Sequence, residues 1–117
     1  MTDKTQVQEA RFSLSSSLHK CEKAREKLKE GTAQRSWLEV QIEALDCALK
    51  LLSEDHSEAF DPQTLIKTKK TLEKLSDIVA KVENKYVTQS AQKTLAQRRL
   101  VSYRLVMQII EEKLKDD

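Results

Sequence analysis

NKYVTQS, residues 84–90, is the stretch on which the fold turns. Residues 62–117 contain no glycine and no proline after Pro62. Apolar residues recur at helical spacing through most of that span, and these seven residues interrupt the pattern with weak helix formers. Taken as a break, Asn84 ends one helix and Thr88 or Ser90 starts another. Taken as a continuation, one helix runs for about 54 residues, roughly 80 Å. Half of it would project beyond the rest of the chain and need a second copy to cover it. The break gives four segments of roughly 23–29 residues, about 35–43 Å each. Near-equal lengths are what an antiparallel four-helix bundle requires. The expected fold class is therefore all-α, an antiparallel helical bundle of four helices in a single domain, 1–117, with helices near 3–30, 33–55, 62–85 and 90–115. Three helices, one of them very long and C-terminal, is the alternative.

Upstream, Asp61 before Pro62 is the strongest local start signal, a capping acceptor with proline at the first helical position. It closes a polar stretch, SEDHSEAFD, at 53–61. Before that, Trp37, Leu38, Val40, Ile42, Ala44, Leu45, Cys47, Ala48, Leu49, Leu51 and Leu52 cover about 220° of a second helix. Glu39, Glu43, Asp46 and Lys50 mark its wet face. Gly31, the only glycine, suits the left-handed residue that ends the first helix, and Thr32 can cap the second. In the first helix Val7, Ala10, Leu14, Leu18, Cys21, Ala24 and Leu28 form a stripe about 120° wide, with Thr2 or Asp3 as its cap. Phe12 projects about 160° away from that stripe. The serine run at 15–17 would let two helices approach closely.

Composition narrows the alternatives. One Gly, one Pro and five aromatics in 117 residues do not supply the turns and strands of a β-sandwich or barrel. No apolar run reaches the roughly 20 residues of a membrane span, and the N-terminal stretch lacks the apolar core of a secretory signal. With a hairpin about Gly31, residue i faces roughly residue 63 − i. Cys21 then faces Ile42 and Cys47 faces Ser16, leaving the sulfurs about five residues, roughly 7 Å, apart along the axis. Two free thiols are expected, as in a reducing cytoplasm.

Residues for catalysis or metal binding are scarce. The two histidines, His19 and His56, form no i, i+4 metal pair, and there is no CxxC, GxGxxG or P-loop. Glu43 and Asp46 give one ExxD spacing, resembling half of the magnesium motif of helical nucleotide pyrophosphohydrolases. The ExxE half is missing, since Glu22, Glu26 and Glu30 are spaced by four. LEVQIEALDCALKLL, 38–52, resembles the opening helix of small helical chorismate mutases, but the sequence assembles no Arg and Lys cluster to grip a dicarboxylate. No cofactor, no metal and no enzymatic activity are expected.

Two features bear on binding. The window 62–110 holds ten basic residues against Glu73, Asp77 and Glu83, and Lys67, Lys70, Lys74, Lys81 and Lys85 fall within about 60° of one helix face. Such a ridge could meet nucleic acid or another polyanion, although aromatics are not interleaved with it. The second feature is surplus apolar surface on the last helix. Leu95, Ser102, Val106 and Ile109 supply an inward stripe, and Leu100, Tyr103, Met107, Ile110 and Leu114 form a second strip about 100° away. That second strip is the expected protein-binding face, with Leu105 and Val101 widening the other flank. The resulting expectation is a cytoplasmic, non-enzymatic interaction module: an adaptor, regulator or chaperone-like bundle that binds a protein partner or forms a homodimer. The alternatives are polyanion binding through the lysine ridge and a bundle-type immunity factor.

Overall fold

Good helix formers with few breakers leave backbone N–H and C=O groups to pair within helices. The computed structural model describes residues 4–53, 60–85 and 90–115 and contains four helices: α1 (Lys4–Glu26), α2 (Ala33–Leu52), α3 (Pro62–Asn84) and α4 (Ala91–Lys115). The pattern break is real: α3 stops at Asn84 and α4 starts at Ala91, so the single long C-terminal helix does not form. Ser90 Oγ caps α4 by accepting from the Lys93 N–H at 3.2 Å. Gln97 Nε2 donates to Glu83 Oε1 at 3.3 Å and Lys69 Nζ pairs with Glu111 Oε1 at 3.2 Å. Both contacts join residue i to residue 180 − i, the register of an antiparallel α3–α4 hairpin. At the start of α3, Pro62 occupies the first turn as expected, but the Asp61 carboxylate makes no capping hydrogen bond. The expected caps Thr2, Asp3 and Thr88 lie outside the described residues.

The first hairpin departs from expectation at its turn. α1 ends at Glu26, four residues early, and the Lys27 and Leu28 N–H groups close tighter bonds to the Ala24 and Arg25 carbonyls. Arg35 provides the reason. Its Nη1 donates to the carbonyls of Arg25 (3.3 Å) and Leu28 (2.7 Å), while its Nε pairs with Glu39 Oε1 at 3.1 Å. Thr32 is the N-cap of α2, accepting from the Arg35 N–H at 3.3 Å. Gly31, at φ +83°, therefore lies in the turn and not directly after α1. A Cβ there would meet nothing within 4 Å, so Gly31→Ala carries backbone strain alone. We expect a loss of about 1 kcal/mol in urea unfolding, with Gly31→Asn losing less. Equal midpoints for the parent and Gly31→Ala would show that the turn does not need the left-handed conformation.

Cys21 Sγ lies 3.7 Å from Gln41 Oε1, one residue from the expected hairpin register, and both cysteines are free. α2 and α4 touch across the bundle as well as touching their neighbours, whereas α1 and α3 do not meet among the described residues. Each of α2 and α4 thus has three partners, which is why their apolar arcs are wide. Leu14, Leu45, Ala48, Leu65, Leu72, Val106 and Ile110 form the most enclosed part of the core. Small side chains sit at the helix contacts, with Ala10, Ser13 and Ser17 buried on α1 and Ser102 buried on α4. The molecule measures 39 × 38 × 20 Å. A 25-residue helix is about 38 Å long, so two long dimensions indicate a flattened bundle whose helices do not all share one axis.

Candidate interaction groove

The residues expected to meet a partner are mostly interior. Leu100, Tyr103 and Ile110 are buried, and Met107 and Leu114 pack partly against the core. The strip is therefore corrected from a docking face to core. Its burial follows from the third neighbour of α4: the two strips merge into one inward arc of about 160°. The Tyr103 side chain lies beside Ser17 of α1. Burial pushes its hydroxyl above the usual tyrosine range, opposed by the nearby Arg99 charge. Burial also raises the Cys47 thiol, opposed by a hydrogen bond from Thr68, and the Cys21 thiol, opposed by Arg99.

These raised values fix a sign. Above pH 9.0, the ordinary thiol value, the unfolded chain releases protons that the folded chain retains. Stability is thus fully present below that pH and declines as pH rises through the folded-state values. We expect the urea midpoint to fall between pH 8 and pH 10, and Cys47→Ala to flatten the fall. A midpoint that rises over this window would contradict buried neutral thiols.

The lysine ridge is partly occupied. Lys67 Nζ pairs with Glu43 of α2 at 3.4 Å, and Lys74 Nζ stands 4.8 Å from the centroid of the Trp37 ring. Lys70, Lys81 and Lys85 are exposed and make no ion pair among the described residues. The ridge is thus broken in its first half by contacts that fasten α3 to α2. His19 is exposed on α1, and His56 lies outside the described residues. Among the described residues, no group of three or more His, Cys, Asp and Glu side chains could hold a metal ion. No described helix is long and apolar enough to cross a membrane.

A different surface collects the leftover apolar groups. Phe12 is 77% exposed, Val101 56% and Leu95 39%. All three line one groove of about 660 Å³ between α1 and α4. Gln6, Glu9, Ser13 and Ser16 are among the other residues of its α1 wall, and Thr94, Gln97, Arg98 and Arg99 stand on the α4 side. In an aligned antiparallel pair, the N-terminal half of α1 would lie beside the C-terminal half of α4. Here the groove joins the two N-terminal halves, consistent with crossed helices and the flattened outline. Arg99 is half-buried, and its Nε is enclosed without a hydrogen-bond partner. Leu95, expected on the inward stripe, opens to this groove because α4 turns its core arc toward Leu100 and Tyr103.

Phe12 was the sequence signal for this site, since a large aromatic opposite its own core stripe has no packing role within the helix. Its neighbours on α4 could not be assigned without the crossing. No known protein family, curated protein or solved structure matches this chain.

Proposed function

We propose that this chain is a non-enzymatic protein–protein interaction module that receives an apolar segment of a partner in the α1–α4 groove. The observation that carries the proposal is the convergence of Phe12, Leu95 and Val101, all exposed, on one groove. Apolar side chains scattered singly over a surface need no explanation, whereas a rimmed apolar cleft is a docking feature. Ile66, Ile78 and Val82 are also exposed on α3, Ile78 and Val82 as i, i+4 neighbours and Ile66 about three turns away. Burying the three groove side chains would contribute several kcal/mol at about 25 cal/mol per Å² before association costs. The fold supplies rigid walls, because the same helices are locked on their inner sides by Leu14, Val106 and Tyr103.

The test is amide NMR of the labelled chain titrated with amphipathic helical peptides that carry a leucine stripe and neutral, acidic or basic flanks. At least one peptide is expected to shift the amides of Gln6, Phe12, Leu95 and Val101. The double variant Phe12→Ser/Val101→Ser should abolish the shifts while retaining stability within about 0.5 kcal/mol, because both side chains are exposed. No groove shifts with any peptide would overturn the proposal.

A further inference from the structure

We infer that a second docking surface runs along the C-terminal half of α3, on its α2 side, and that it takes an acidic amphipathic helix of another protein. This surface shares no residue with the α1–α4 groove. The helices touch in the ring α1–α2–α3–α4, closed by α1 against α4, so the α2–α3 seam lies opposite the groove. Around α3, Lys70, Lys81, Lys74 and Lys85 occupy an arc of about 60°, and Ile78 and Val82 continue it toward α2, about 120° in all. The contacts of Lys67 with Glu43 and of Lys74 with Trp37 join residue i to about residue 110 − i. Ile78 therefore comes opposite the start of α2 at Ala33, and Val82 lies beyond it. That is why the pair is uncovered, Ile78 at 45% and Val82 at 38%.

The charge on this arc lacks a local counterpart. Asp77 stands at its border, whereas Glu73 and Glu83 are turned toward α4 and meet Lys69 and Gln97. Lys70, Lys81 and Lys85 are exposed and, like Asp77, take part in no ion pair among the described residues. The α1–α2 turn, at the same end of the molecule, adds Lys27 and Lys29 against Glu30. An excess of cations beside an apolar pair fits a helix with an apolar stripe and carboxylates on one flank. From Lys70 to Lys85 the strip is about 22 Å long, four helical turns. A bilayer fits less well, because inserting side chains must reach about 5–10 Å into the headgroup boundary. Ile78 and Val82 are half sheltered in a seam, unlike Phe12 at 77% exposure. A nucleic acid needs open rings on which to stack, and Trp37, the aromatic beside the lysines, is half-buried with Lys74 over its ring. A second copy using the same strip would set lysine against lysine.

The experiment titrates the labelled full chain with three peptides of about 15 residues, four helical turns. One carries a leucine stripe and Glu flanks, one the stripe and Lys flanks, and one the Glu flanks with serines in place of the stripe. The first is expected to shift the amides of Lys74, Ile78, Lys81 and Val82 and to bind about tenfold or more tightly than either of the others. Its margin over the Lys peptide should narrow as salt screens the charges. Lys81→Glu/Lys85→Glu, at exposed positions, should weaken it about tenfold without changing the urea midpoint. Ile78→Ser/Val82→Ser should also weaken it, and the lysine variant decides where the apolar one unfolds. Phe12→Ser/Val101→Ser should leave the α3 shifts unchanged, so failure of the groove and failure of this surface are read separately. No α3 shifts with any peptide, or equal binding of the Lys peptide, would overturn the inference. Equal binding of the stripeless peptide, or α3 shifts with a 15-nucleotide single strand alone, would replace the partner with a simple polyanion. α3 shifts produced by phosphatidylserine vesicles and by no peptide would replace it with a membrane. Shifts that grow with protein concentration and no peptide would replace it with a second copy.

Discussion

Ile110→Asp is expected to leave the chain unfolded at neutral pH, with the helical signal in far-ultraviolet circular dichroism lost. Ile110 is fully enclosed, with no exposed surface. An aspartate there would bury a carboxylate without a partner, at a cost of several kcal/mol. The lost packing adds about 2–5 kcal/mol. Together these rival the whole stability of a small domain, about 5–15 kcal/mol. Ile110→Ala, which carries only the packing loss, should remain folded with a clearly lowered urea midpoint. Val101→Asp provides the contrast on the same helix: Val101 is 56% exposed and the variant should fold normally. A folded Ile110→Asp chain would return the strip from Leu100 to Leu114 to the surface and undo the assignment of the core.

Arg35→Ala is expected to cost about 2 kcal/mol, the second largest effect. One guanidinium holds the Arg25 and Leu28 carbonyls and the Glu39 carboxylate, and its side chain is only 22% exposed. Removing it takes this donor from the Leu28 carbonyl, leaves the Arg25 carbonyl with the Leu28 N–H alone, and frees the turn that fixes the first hairpin. Arg35→Lys should not restore stability, because an ammonium lacks the planar fork that reaches separate acceptors. Paired urea titrations of the three proteins check this. Recovery of the parent midpoint by lysine would show that charge alone closes the turn.

Much of the architecture was legible because helical spacing, Pro62 and the weak formers at 84–90 each report a local preference. Asn84 and Ser90 bracket the observed break between α3 and α4. Local signals failed where a distant side chain intervened. The early end of α1 depends on Arg35, nine residues past Glu26, which no capping rule anticipates. The site was harder for a related reason. Helical spacing shows how wide an apolar arc is, but not how many neighbours will cover it. α4 meets three helices, so Leu100, Tyr103 and Ile110 became interior. Phe12 stood out in the sequence because no packing stripe on its own helix could include it. Its pairing with Val101 required the crossing of α1 over α4, a tertiary property.

The central claim is that the contact of α2 with α4 conceals the wide apolar arcs within one copy, leaving Phe12, Leu95 and Val101 at the α1–α4 groove. Sedimentation equilibrium over a broad concentration range, at low salt, tests it most directly. The account predicts a single species of 13.5 kDa throughout. A stable mass of twice that value would mean that the arcs are shared between two chains, and it would contradict the account.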